Sequence, residues 1–130
     1  MKYMLLMNGT THGVEGYRAW SESDIQRHFA ELAHINACLK EAGEFVATEG
    51  LAFPTEAKLV IASSDGLPQT DGVFPESKEF LLGYWIVDVD SVERAFEIAL
   101  EISAAPGPGG VPTQVPIEVR RIMSVKDQPH

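Results

Sequence analysis

Five side chains in this sequence have the types and setting to work on a small molecule: His28, Asp71, Lys78, Glu79 and Tyr84. Three of them stand in one acidic turn, Asp71-Gly72-Val73-Phe74-Pro75-Glu76-Ser77-Lys78-Glu79, which opens directly onto the apolar run Phe80–Val87. A turn at the mouth of a buried strand can hold polar groups beside a pocket. A carboxylate facing an imidazole can pass a proton, because histidine titrates near neutral pH. Asp71 is thus the candidate base or hydrogen-bond acceptor, with His28 as its proton partner. Lys78 would position an anion, and Glu79 and Tyr84 would contact a ligand. Each also has a plainer reading. Asp before Gly closes turns by accepting backbone N–H bonds, neighbouring charges beside a turn are usually solvated, and a histidine at the edge of an apolar stripe often makes one structural hydrogen bond.

The elements that must position these residues are legible as patterns. Residues 2–8 read as a first strand, with Tyr3, Leu5 and Met7 on one face and Met4 and Leu6 on the other. Residues 9–20, with three glycines, read as a loop. Ser21 caps a long helix whose stripe is Ile25, Phe29, Leu32, Ile35 and Leu39, and Gly43 ends it. Strands follow at 44–52 and 57–63, with a short return strand before Asp71-Gly72, then a long strand at 80–88 whose Tyr84 and Trp85 project to opposite faces. Asp90 caps a second helix with the stripe Val92, Ala95, Phe96, Ala99 and Ser103. A Pro/Gly-rich loop at 104–116, mobile by default, leads to a final strand at 117–125.

This order predicts a single α+β domain over 1–130 of ferredoxin-like type, mainly antiparallel with two helices on one face of the sheet. Two helices leave the other face open, yet the strands at 3–7 and 80–87 are apolar on both faces. A self-partner in a back-to-back homodimer is the simplest cover, since identical sheets bury each other around a two-fold axis.

Composition removes several function classes. There are 19 acidic and 10 basic residues, for a formal net charge of -9, and Arg120-Arg121 is the only adjacent basic pair. General nucleic-acid binding and anionic membranes both require a basic surface, so neither is expected. No apolar run is long enough to span a bilayer, and the opening segment reads as a strand, not a secretory signal. A single cysteine, Cys38, excludes an internal disulfide and fits the cytoplasm. It lies mid-helix with no evident activating base. Glu31-Leu32-Ala33-His34 has the E-x-x-H spacing of carboxylate metal sites but lacks the facing helices they need. No metal and no cofactor is expected.

The turn and its flanks resemble a known family. The segment D-G-V-F-P-E-S-K-E is similar to the D-G-P-F-A-E-T-K-E stretch of the DGPF-domain branch of the YCII-related family, matching at Asp71, Gly72, Phe74, Glu76, Lys78 and Glu79. The opening K-Y-M-L-L-M, the segment from Ala42-Gly43 to Glu49-Gly50-Leu51, and Ile117-Glu118-Val119-Arg120 extend the likeness along nearly the whole chain. Val73 stands in place of the signature proline, and Pro75 in place of an alanine. The resemblance implies a dimeric α+β barrel. Some relatives look like small enzymes built around a His and an Asp, with the histidine nearer the end of the first helix than His28. DGPF members are also associated with extracytoplasmic-function sigma factors.

Two functions are therefore expected. One is a small-molecule-binding protein or enzyme with a pocket between the His28 helix and the 71–79 segment. The alternative is a non-enzymatic regulatory or protein-interaction module.

Overall fold

The computed structural model describes residues 1–71 and 79–127. Four strands form one antiparallel sheet: β1 (Lys2–Gly9), β2 (Phe45–Gly50), β5 (Phe80–Asp88) and β6 (Ile117–Arg121), in the spatial order β2-β5-β1-β6. β3 (Leu59–Ala62) and β4 (Pro68–Asp71) pair with each other as a separate hairpin inserted between β2 and β5. With the helices between β1 and β2 and between β5 and β6, this is the ferredoxin-like α+β arrangement.

Register fixes the faces. Leu5 lies opposite Trp85 on one side and Val119 on the other, so these three share the helix-covered face. Met4 opposite Ile86 and Leu6 opposite Tyr84 point the other way, because strand side chains alternate. All four are half-buried.

Among the described residues three α-helices form, not two. α1 (Thr11–Arg18) occupies the stretch read as loop. Its two glycines hide it from a periodicity argument, since each costs roughly 1 kcal/mol against alanine in a helix. It forms because the Thr10 hydroxyl accepts the Gly13 N–H at 3.2 Å and because Val14 is buried. α2 (Glu22–Glu41) starts at Ser21, whose hydroxyl accepts the Asp24 N–H at 3.1 Å, and ends before Gly43 at φ +73°. α3 (Val92–Ser103) is capped by Ser91, one residue after the expected Asp90: the Ser91 hydroxyl accepts the Arg94 N–H at 3.2 Å.

The buried stripes also turn slightly from expectation. α2 buries His28, Ile35 and Leu39, whereas Phe29 is 54% exposed. α3 buries Ala95, Ile98, Ala99 and Ile102, and Phe96 faces outward. Leu5, Leu39, Val87, Ile98 and Ile102 are fully enclosed at the centre of the core. Each such side chain contributes about 1.5–3 kcal/mol of burial. Arg94 forks onto Glu44, its Nε donating to Oε2 at 2.9 Å and its Nη2 to Oε1 at 2.8 Å, which pins the start of α3 to the approach to β2.

β6 stops at Arg121 instead of continuing to 125. The Asp127 carboxylate accepts from the Ser124 N–H at 3.0 Å and from the Arg121 guanidinium at 2.6 Å, curling the chain off the sheet. The 104–116 loop is tied down. Thr113 N–H donates to Ala105 O at 3.0 Å, Gln114 N–H to Ser103 O at 2.9 Å, and the Ser103 hydroxyl to Val115 O at 2.8 Å.

Candidate functional site

A cavity of about 890 Å³ lies between α1, α2, the 113–116 segment and one end of the sheet. That volume suits a drug-sized organic molecule. α1 and the turn after it supply Val14, Tyr17 and Trp20; α2 supplies His28, Phe29, Leu32 and Asn36. The sheet floor is Met7, Thr48, Gly83 and Trp85, and Leu51, Phe53 and Leu82 close one end. The opposite wall is Thr113 to Pro116, in which Gln114 holds a left-handed backbone at φ 57°. A non-glycine residue in that region is uncommon and carries local strain.

His28 is the buried polar residue of the described chain, at 8% exposure. Its Nδ1 lies 3.0 Å from the carbonyl oxygen of Pro106. A carbonyl can only accept, so Nδ1 carries the proton and donates it. In the neutral ring Nε2 then keeps its lone pair. Among the described residues Nε2 has no partner, and no enclosed side-chain nitrogen or oxygen is left unpaired, so Nε2 reaches open space. His28 is one of the residues that line the cavity. Aromatic rings fix the imidazole edge-on: Trp20 at 5.4 Å and 88°, and Phe29 at 5.6 Å and 73° between centroids and planes.

Asn36 is oriented as firmly. The buried Trp85 indole Nε1–H donates to Asn36 Oδ1 at 2.8 Å. The Asn36 amide NH₂ is thereby left as the group with donors to spare. Thr48 donates its hydroxyl proton to Tyr84 O at 2.9 Å, so its oxygen can only accept from a ligand. Burial pushes the Tyr17 phenol above its ordinary value, which keeps it a neutral hydroxyl. No lysine or arginine stands among the described wall residues, whereas Glu49 and Glu79 do. Arg18 lies outside, stacked 4.4 Å from the centre of the Phe53 ring.

The sequence candidates separate accordingly. His28 and Glu79 border the same cavity. Tyr84 lies on the other face of β5, between Gly83 and Trp85, which do line the cavity. Asp71 ends β4 opposite Leu59; its carboxylate, like Lys78, lies outside the described residues. Trp20, Asn36 and Gln114 were not singled out from sequence. The i, i+8 spacing of His28 and Asn36 places both on α2, but no local pattern announces their partners Pro106 and Trp85. Cys38 does have a basic neighbour: His34 Nε2 lies 3.7 Å from its Sγ on the exposed side of α2, one helical turn away. Among the described residues no three metal-ligating side chains converge, and no helix is long and apolar enough to cross a membrane.

The family model of the YCII-related domain matches residues 1–119. An uncharacterized protein of Rhizobium meliloti (strain 1021) is 31% identical over 87 residues, covering 67% of this chain and 70% of that protein.

Proposed function

This chain belongs to the YCII-related family, and we propose that it binds a small organic molecule in the cavity above the sheet, with His28 as the proton-accepting group. The observation that carries this reading is the His28 imidazole. Its Nδ1–H is committed to the Pro106 carbonyl, which leaves Nε2 as the ring's acceptor, and the residue lines a cavity of about 890 Å³. A histidine fixed in one tautomer by its distal nitrogen is the arrangement that general-base chemistry uses. Whether the bound molecule also turns over depends on a second group, for which Asp71 is the candidate from its place in the 71–79 turn. The finer placement in the DGPF branch rests on the same turn. A cytoplasmic setting rests on the single thiol, and homodimerisation on Met4, Leu6, Tyr84 and Ile86, which share the sheet face away from α2 and α3.

A second reading, a regulatory or protein-interaction module, is favoured by the β3–β4 hairpin. Leu59, Val60, Ile61 and Leu67 are all exposed there. One experiment separates the two. Protein purified under native conditions is extracted with organic solvent, and the extract is analysed by mass spectrometry beside that of His28→Asn. A small molecule retained by the wild type and lost from the variant supports the cavity reading. Equal or empty extracts, together with a stoichiometric protein partner, favour the module.

A further inference from the structure

The cavity walls specify more than the presence of a ligand. Resting on the reading of this cavity as a binding site, we infer that its ligand is a non-anionic, planar aromatic molecule of about two fused rings, with a hydroxyl at one end and a carbonyl-type acceptor at the other.

Aromatic character, and with it flatness, follows from the composition of the walls. Tyr17, Trp20, Phe53 and Trp85 all border the cavity, and the rings of Tyr17 and Trp20 lie 5.0 Å apart and tilted by 56°. Aromatic side chains on a cavity wall favour aromatic partners beyond simple area burial. The exclusion of an anion follows from charge. The described walls carry two carboxylates and no cation, on a chain of net charge -9. An anion moved from water to this place would find no counter-charge among the described residues, and desolvating it there is strongly unfavourable.

Polarity of the two ends follows from the committed hydrogen bonds. His28 Nδ1 is used by Pro106, so Nε2 accepts, and the ligand group facing it must donate. Asn36 Oδ1 is used by Trp85, so Nδ2 donates, and the ligand group facing it must accept. The two residues stand eight positions apart on α2, or about 12 Å along the axis. Allowing for the side chains, that separation matches the two ends of a bicyclic ring system and not one functional group. A hydroxyl at the His28 end is the neutral donor whose proton the imidazole can accept.

Four probes differing by single groups test this by titration calorimetry: 6-acetyl-2-naphthol, its methyl ether 6-acetyl-2-methoxynaphthalene, 2-naphthol, and the carboxylate 6-hydroxy-2-naphthoate. Two variants keep the internal bonds. His28→Asn offers an amide N–H to the Pro106 carbonyl while deleting Nε2. Asn36→Asp still accepts from Trp85 while deleting the donor. The expected result is that 6-acetyl-2-naphthol binds about tenfold tighter than the methyl ether and than 2-naphthol, the worth of one hydrogen bond each. The carboxylate binds weakest. His28→Asn cancels the advantage over the methyl ether, and Asn36→Asp cancels the advantage over 2-naphthol. If the carboxylate binds tightest, the inferred class is overturned, the anion-positioning role of Lys78 is favoured, and the cavity reading stands. If the probes bind equally and the variants change nothing, the assigned polar ends are wrong. If none binds, the inference falls, and the cavity reading is decided separately by the extraction experiment.

Discussion

Gly83 provides a test in which the structure sets both sign and size. It lies in β5 opposite Gly50 of β2, on the floor of the cavity. A Cβ added there would stand 2.9 Å from the backbone oxygen of Glu49 and 3.4 Å from Gly50 Cα. The first contact is about 0.5 Å inside comfortable van der Waals separation. The obstructing atom is backbone in the β2–β5 ladder, so it cannot swing away as a side chain would. Overpacking of this kind costs about 1–3 kcal/mol. Reduced freedom of the unfolded chain returns about 0.4–1 kcal/mol. Gly83→Ala should therefore destabilise by about 1–2 kcal/mol. Gly16→Ala is the matched control: nothing lies within 4 Å of its added Cβ, and it sits inside α1. There the change should stabilise by about 0.5–1 kcal/mol through helix propensity. Urea denaturation followed by circular dichroism reads both, with the m-value checking that the transition is unchanged. A Gly83→Ala protein as stable as the wild type, or a Gly16→Ala protein less stable, would refute the reasoning.

The Arg94 hydrogen bonds hold the Glu44 carboxyl below its ordinary value of 4.5; a depressed folded-state value means stability present above that pH and lost below it, so the advantage of the wild type over Glu44→Gln should be full at pH 7 and shrink as acid denaturation is measured below about pH 4.5. Homodimerisation through the Met4/Ile86 face predicts twice the chain mass of 14.2 kDa in light scattering at micromolar concentration, and Ile86→Lys should halve it while leaving the circular dichroism spectrum intact. Asp71→Asn should lower stability by about 1 kcal/mol if the carboxylate only closes a turn, and should weaken retention of the extracted molecule far more than stability if it serves the site with His28.

The sequence revealed the sheet more readily than the site. β5 is a long apolar run between polar ends, and α2 carries a cap, a stripe and a terminal glycine, so both were visible as local patterns. α1 was not, because eight residues with two glycines show no stripe and owe their helix to Thr10 and the burial of Val14. Phe29 leaves the expected stripe, while His28, read at its edge, is buried, for a related reason. A helical wheel ranks residues by apolarity, whereas the site needs a polar ring inside and leaves an aromatic one at the rim. The partners that define the chemistry are remote in sequence: Pro106 is 78 residues from His28, and Trp85 is 49 from Asn36. No periodicity reports such a meeting, which topology alone creates.

That topology also sets a timetable for synthesis. β1 is made first but occupies the interior of the sheet, between β5 and β6. Its ladder with β5 joins Gly9 to Phe80 and Lys2 to Asp88, and its ladder with β6 joins Tyr3 to Arg121. Neither neighbour exists until at least 70 further residues have been added, which takes roughly 4–14 s at ribosomal rates. Through that interval a strand apolar on both faces has α1, α2 and the edge strand β2 for company, and none of these is its sheet partner. Closing so long a loop slows the productive encounter. The nascent chain is therefore most exposed to misassociation before Phe80 is translated, and a ribosome-bound chaperone would act on the segment Tyr3–Met7 in that window.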